Sequence, residues 1–108
     1  MAQNFRRTTS NDVGTSVASV YTADSYDTII GIALTNVAST SIKVSAYIND
    51  GSNDIYLIKD APIPVGSQLQ IIDGGAKLVV QNGDVLKVVS DTASSVDVWI
   101  SAVDSIST

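Results

Sequence analysis

The 108-residue chain contains no cysteine, no histidine and no glutamate, and all eleven of its acidic residues are aspartates. Histidine and cysteine are the commonest general bases, nucleophiles and soft metal ligands, so the usual catalytic triads and zinc sites are excluded. Glutamate favours helices, whereas aspartate favours turns because its short side chain bonds nearby backbone. These absences indicate strands and turns, and we expect no enzyme, no catalytic residue and no cofactor.

Basic residues and long apolar runs are also scarce. Four lysines and two arginines leave a net charge of −5, whereas nucleic-acid binding needs clustered basic side chains. No apolar run approaches the ~20 residues that span a bilayer, and the N-terminus lacks the apolar segment of a secretory signal. The missing cysteines exclude a disulfide framework. We therefore expect neither a nucleic-acid nor a membrane partner.

The abundant residues favour β-strands. Valine and isoleucine together number 26 against five leucines, and β-branched side chains suit a pleated sheet. The clearest alternation runs over residues 41–49, where even positions are aliphatic and odd positions are mostly polar. The pattern predicts an all-β fold, an antiparallel β-sandwich or jelly roll of about seven to eight short strands. The predicted strands are 15–21, 28–36, 41–49, 54–60, 67–73, 77–80, 85–89 and 95–103.

The chain divides into one domain with short ends. Residues 1–11 are polar, with Phe5 the only large apolar side chain after Met1, and predict an extended N-terminal arm outside the core. Residues 12–104 form the β-sandwich domain, and 105–108 form a short polar tail. The pair Pro62 and Pro64 cannot donate to a ladder, which indicates a crossover between sheets or an edge strand.

The predicted strand 28–36 is apolar on both faces. Such a segment suits a strand covered on both sides, or one whose second face meets a partner. One face would carry Ile30, Ile32 and Leu34, and the other Ile29, Gly31 and Ala33.

Several aspartates are candidates for chemistry. The run Asp50-Gly51-Ser52-Asn53-Asp54 is oxygen-rich and could hold calcium, but it lacks EF-hand spacing and is typical of a hairpin turn. The pairs Asp24 with Asp27 and Asp91 with Asp97 contain the carboxylates that glycosidases use. Nothing in the sequence brings either pair together, and aspartates at strand ends are ordinary, so we predict no catalytic or metal site.

The aromatic side chains are the better candidates for function. Tyr47, Tyr56 and Trp99 are predicted to project from the outer faces of their strands. Aromatic side chains are enriched at protein interfaces, and they also stack on sugars. The alternative interpretation is cross-strand packing on a half-buried second face.

The segments 62–67 (PIPVGS), 77–88 (KLVVQNGDVLKV) and 95–101 (SVDVWIS) share a layout with small virion proteins of tailed bacteriophages. That layout begins with prolines, a small loop and a strand. A leucine and a glycine-aspartate pair then precede a further strand, and a serine and a valine-aspartate pair precede the last strand. Residues 28–48 also resemble the first hairpin of these proteins, so the resemblance spans roughly residues 15–103 and has no catalytic residues to carry over.

The resemblance implies a non-enzymatic structural protein of the phage particle, as a capsid decoration, neck or tail component. Its partners would be other virion proteins and further copies of itself, and it would reach the virion after synthesis in the host cytoplasm. The alternative is a receptor- or carbohydrate-binding module at the tail tip. The interface candidates are Phe5, Arg6, Arg7, Ile29, Tyr47, Tyr56 and Trp99.

Overall fold

The computed structural model describes residues 4–24, 26–72 and 77–104. These residues form nine strands and no helix, and therefore no helix long and apolar enough to cross a membrane. The strands are β1 (Asn4–Val13), β2 (Ala18–Thr22), β3 (Asp27–Asn36), β4 (Ile42–Asn49), β5 (Asp54–Ile63), β6 (Gln68–Ile72), β7 (Leu78–Val80), β8 (Val85–Ser90) and β9 (Val96–Asp104).

The strands pair as one long hairpin folded around the turn between β4 and β5. β4 pairs with β5, β3 with β6 and β7, β2 with β8, and β1 with β9, always antiparallel. Pairing of β3 with β9 and of β4 with β8 arranges them into two sheets. The five-stranded sheet has the order β1-β9-β3-β6, with β7 also on β3, and the four-stranded sheet has the order β2-β8-β4-β5. This nested order is that of a jelly roll and confirms the predicted fold class.

The N-terminal segment differs from the predicted arm. From Asn4 to Ser10, β1 runs in continuous register beside β9, so this segment is an edge strand of the five-stranded sheet. Its inward positions are polar; Thr8, for example, lies opposite the buried Ile100. Backbone pairing with β9 therefore holds this strand in the sheet, although its inward side chains are not apolar. The described residues thus form nine strands, where seven to eight were predicted. Residues 1–3 and the predicted tail 105–108 lie outside the described residues.

A β-bulge in β3 reverses the faces predicted for its first half. The register against β9 shifts between Ile29 and Gly31, which leaves Ile30 as an extra residue. Ile29 is therefore fully buried together with Ile32, whereas Ile30 is 39% exposed. The predicted grouping of Ile30 with Ile32 and Leu34 was therefore wrong, because a one-residue insertion moves a side chain to the opposite face.

The proline segment lies where a strand without backbone donors is tolerated. Pro62 is near the end of β5, which is an edge strand of the four-stranded sheet, and the chain then crosses to β6 in the other sheet. Both parts of the prediction for this segment therefore hold. Asp60 has a positive φ of 51°, and the register of β5 against β4 is irregular nearby.

Buried polar side chains fasten the ends of the strands. Asn36 donates from Nδ2 to the carbonyls of Thr40 and Ile63, each at 2.9 Å, and its Oδ1 accepts the N–H of Ala38 at 2.8 Å. The hydroxyl of Tyr21 donates to Oδ2 of the buried Asp27 at 2.7 Å. These bonds satisfy polar groups that would otherwise be costly to bury.

Candidate interaction face

The outer face of the five-stranded sheet carries a partly exposed tryptophan among small and polar side chains. Residues directly opposite in an antiparallel ladder share a face, and Trp99 lies opposite Thr9 on β1 and Ala33 on β3. Its indole remains 52% exposed. We call this surface the Trp99 face; it consists of Arg7, Thr9, Gly31, Ala33, Thr35, Gln68, Gln70, Asp97, Trp99 and Ser101.

Shallow depressions flank the indole on both sides. One, of about 500 Å³, is lined by Thr9, Thr35, Gln68 and Asp97. The other, of about 290 Å³, is lined by Gly31, Gln70 and Ser101. Trp99 therefore forms a ridge between two recesses, a shape that a complementary partner surface can enclose.

The Trp99 face carries little charge, and its one basic side chain lies close to the Trp99 ring. Among its residues only Arg7 and Asp97 are charged, and the guanidinium carbon of Arg7 lies 5.6 Å from the centroid of a Trp99 ring. A cation over an indole is attracted to the negative face of the ring. This contact restricts the indole, so less side-chain entropy remains to be lost when a partner binds.

A mostly apolar row continues the same outer surface towards one end of the sheet. Phe5, Val103, Thr28 and Val79 are successive cross-strand neighbours on β1, β9, β3 and β7. Phe5 is 78% exposed and Val79 is 68% exposed. These two exposed side chains lie at the ends of the row, with Val103 and Thr28 between them.

The tyrosine candidates lie on the four-stranded sheet instead. Tyr47 and Tyr56 are cross-strand partners with ring centroids 4.8 Å apart, and Nζ of Lys59 lies 5.3 Å from the Tyr56 ring. Tyr56 is exposed, but Tyr47 is buried under its neighbours, and burial raises the pKa of its phenol. Tyr47 was therefore wrongly placed at an interface, since cross-strand packing covers it.

Two further candidates lie away from the Trp99 face. Ile29 has no exposed surface, so the prediction that it contacts a partner was wrong; the bulge in β3 turns it into the core. Arg6 lies opposite the buried Ala102, and its guanidinium carbon lies 5.9 Å from the Tyr21 ring centroid. It also approaches Asp24 at 4.0 Å. Arg6 and Arg7 thus point to opposite sides of β1.

The predicted turn at 50–54 binds its own backbone. Oδ1 of Asp50 accepts the N–H groups of Asn53 and Ser52 at 2.8 and 3.0 Å, and these bonds hold the pKa of the Asp50 carboxyl below its ordinary value. Gly51 has a positive φ of 97°, which suits a glycine. This is the hairpin interpretation of the turn. The described residues include no cluster of three carboxylates that could hold a metal ion.

The paired aspartates are likewise engaged in separate contacts. Asp27 is buried against Tyr21, whereas Asp24 is exposed beside Arg6. Oδ1 of Asp91 accepts the N–H of Lys43 at 3.1 Å, and this bond, with one from the Thr92 hydroxyl, lowers the pKa of Asp91. In these positions the carboxylates fasten loops.

Sequence reasoning missed the surroundings of Trp99. Gln68 and Gln70 contact each other at 3.1 Å, and Gln68 reaches Thr35 at 3.4 Å. Alternation on β6 indicates that both glutamines face outward. It does not reveal that β6 lies two strands from β9, because the order of strands follows from long-range pairing.

Comparison with known proteins gives a structural match alone. No protein-family model and no curated protein matches the sequence. The fold is similar to that of a chain solved in the acidic stable capsid structure of Helicobacter pylori bacteriophage KHP30. The two superpose with a TM-score of 0.60, covering 95% of this chain and 87% of that chain, at 9% sequence identity. A likeness at this identity shows a shared fold.

Proposed function

We propose that this protein is a non-enzymatic structural component of a bacteriophage particle, which decorates the capsid by binding other virion proteins through its Trp99 face. The single observation that carries the proposal is the exposed indole, contacted by Arg7, at the centre of a nearly uncharged sheet face of small and polar side chains. The shared fold with a chain of a phage capsid structure supports the location in the virion.

The energetics of such a contact favour Trp99 as its anchor. Tryptophan is enriched among the few interface residues that carry most of the binding energy, and these lie centrally within a ring of weaker contacts. The direct cross-strand neighbours of Trp99, Thr9 and Ala33, are small and allow a partner surface to approach the indole closely. The mostly apolar row with Phe5 and Val79 would enlarge the contact beyond the Trp99 face.

The experiment compares two exposed aromatic side chains on opposite sheets. Purified Trp99→Ala and Tyr56→Ala variants are added to particles that lack the protein, and the bound fraction is measured by sedimentation. We expect Trp99→Ala to weaken binding about 30-fold or more, as for an interface anchor of about 2 kcal/mol. Tyr56→Ala, which removes a similarly exposed ring, is expected to bind within about 3-fold of the unmodified protein.

Both variants should keep the melting temperature within a few degrees, because each side chain is half exposed. Equal binding of Trp99→Ala and the unmodified protein would refute the proposed face. Failure of the unmodified protein to bind any such particle would refute the proposed role.

A second candidate function is carbohydrate binding at the tail tip, favoured by the chemistry of the larger depression. Its lining combines the indole of Trp99 with the amide of Gln68, the carboxylate of Asp97 and the hydroxyl of Thr35. An apolar platform with a few polar groups is typical of small-ligand sites. A glycan array distinguishes the two functions, since binding that is lost in Trp99→Ala would favour the sugar site.

A further inference from the structure

The four free edges of the two sheets differ in how well they could accept another strand. β2 has five residues and an irregular register after Ser19, and β5 carries Pro62 and the positive φ of Asp60. β6 and β7 share one edge of β3 as two short pieces, with a register shift at Ala33. Short strands, bulges and prolines are the devices by which proteins protect sheet edges from pairing.

β1 has none of these protections over most of its length. Its register with β9 is continuous from Asn4 to Ser10, it contains no proline, and in the described chain it has a strand on one side only. A regular, extended edge of this kind is a template for strand addition.

Hydrogen bonds elsewhere in the sheet show which residues of β1 direct their N–H and carbonyl groups to the open side. The N–H of Asn36 donates to the carbonyl of Ser67 at 3.0 Å on the β6 side of β3, whereas the N–H of Val37 donates to the carbonyl of Ser95 at 2.8 Å on the β9 side. Odd-numbered residues at this end of β3 therefore point towards β9, and Thr35 lies opposite Asp97, so odd-numbered residues of β9 point towards β3. Even-numbered residues of β9 therefore point towards β1, and they lie opposite even-numbered residues of β1. The N–H and carbonyl groups of Phe5, Arg7 and Thr9 consequently point away from β9.

The charges along β1 are self-complementary when the strand is reversed. Both arginines of the chain, Arg6 and Arg7, lie in its first half. Two carboxylates lie at its other end, where the N–H of Asp12 donates to Oδ1 of Asp97 at 3.2 Å. Antiparallel pairing with a second β1 would place the basic half of each strand near the acidic end of the other.

We propose that β1 pairs antiparallel with β1 of a second copy across a twofold axis near Thr8, joining two five-stranded sheets edge to edge. In this register Arg7 of each copy lies opposite Thr9 of the other, so the two Arg7 side chains are not directly opposed. The open groups of Arg7 and Thr9 form about four new hydrogen bonds. The contact is isologous, as in most twofold homodimers.

The test uses two substitutions at one residue. Thr9→Pro removes an N–H that faces the open edge, a place where proline is tolerated, whereas Thr9→Ala retains it. Analytical ultracentrifugation of the full chain is expected to show a dimer for the unmodified protein and for Thr9→Ala. The dimer dissociation constant of Thr9→Pro should rise by about 10-fold or more.

Arg6→Glu gives a second readout, because it replaces a basic charge of β1 without changing the Trp99 face. It also places a carboxylate beside Asp24 of its own chain, so circular dichroism and urea unfolding first establish that the variant is folded. The substitution should weaken the dimer, and rising salt should weaken the unmodified dimer, since exposed charges are screened. A monomeric unmodified protein at about 100 µM would overturn the proposal. Equal dimer dissociation constants for folded Thr9→Pro and Thr9→Ala would also overturn it. If Thr9→Pro does not fold, an unchanged dissociation constant for the folded Arg6→Glu variant would overturn it instead. The assay contains no particles, so its failure is distinct from failure of the proposed function.

Discussion

Gly14 is the position at which one added methyl group should be most informative. It follows β1 and packs against the loop between β8 and β9, where a Cβ would lie 2.9 Å from the backbone nitrogen of Ser94 and 3.1 Å from Cα of Ala93. Ordinary van der Waals contact begins at 3.4 Å, so the loop would have to move by several tenths of an ångström. Both contacts are backbone atoms, which cannot swing aside as the end of a side chain can.

The same loop is held to this segment by hydrogen bonds. Ser90 donates to the carbonyl of Gly14 at 2.9 Å, and Ser95 donates to the carbonyl of Val13 at 3.0 Å. Overpacking of a fixed site costs about 1–3 kcal/mol, whereas loss of glycine from the unfolded chain returns about 0.4–1 kcal/mol. We therefore expect Gly14→Ala to lower the free energy of unfolding by about 1–2 kcal/mol.

Gly31 provides the matched control. A Cβ there would meet only the Ser101 side chain, at 3.8 Å from its Cβ, which is an ordinary contact. Gly31→Ala should therefore leave stability unchanged or raise it by up to about 1 kcal/mol. Urea unfolding followed by circular dichroism measures both free energies. The reasoning is refuted if Gly14→Ala is as stable as Gly31→Ala.

Three other predictions test the core, a buried hydrogen bond and a loop carboxylate. Ile29→Ala should lower the free energy of unfolding by about 2–5 kcal/mol, because Ile29 is fully buried. The adjacent Ile30→Ala should lower it by about 0.5 kcal/mol, because Ile30 is partly exposed. Similar losses for the two variants in urea unfolding would contradict the bulge. Tyr21→Phe removes the hydroxyl that donates to Asp27 and should cost about 1–3 kcal/mol in the same assay; an unchanged midpoint would contradict a role for this bond. The carboxyl of Asp91 should titrate below the ordinary value of 3.8 by NMR, because it accepts a backbone N–H in the folded state. Since folding lowers this pKa, its stabilising contribution is present above about pH 4 and is lost as the pH falls through the folded value, and an ordinary midpoint would count against the bond.

Strand positions could be predicted wherever burial alone determines which side chains face inward. In β9 the aliphatic residues Val96, Val98, Ile100 and Ala102 are all buried, as alternation predicted, because no bulge interrupts this strand. β3 shows the limit of the method. Its consecutive residues Ile29 and Ile30 have the same side chain, so composition cannot say which of them the bulge exposes.

The pairing of the edge strand and the order of the strands could not be predicted from the sequence, for a different reason. β1 is held by backbone bonds to β9, and its inward side chains at Arg6, Thr8 and Ser10 give no apolar signal. The outward orientation of Trp99 follows from alternation, but its neighbours come from three other strands. Backbone pairing between distant segments leaves little trace in local side-chain patterns.

The nested pairing around the β4–β5 turn also has a kinetic consequence. Asn49 and Asp54 close a short loop, whereas each later strand pair joins segments farther apart along the chain, up to Asn4 with Asp104. Closing larger loops costs more entropy, so we expect the central hairpin to form early, the terminal strands to dock last, and folding to take milliseconds to seconds. Stopped-flow measurements should then show that substitutions near Asn49 slow folding, while those in β1 mainly accelerate unfolding.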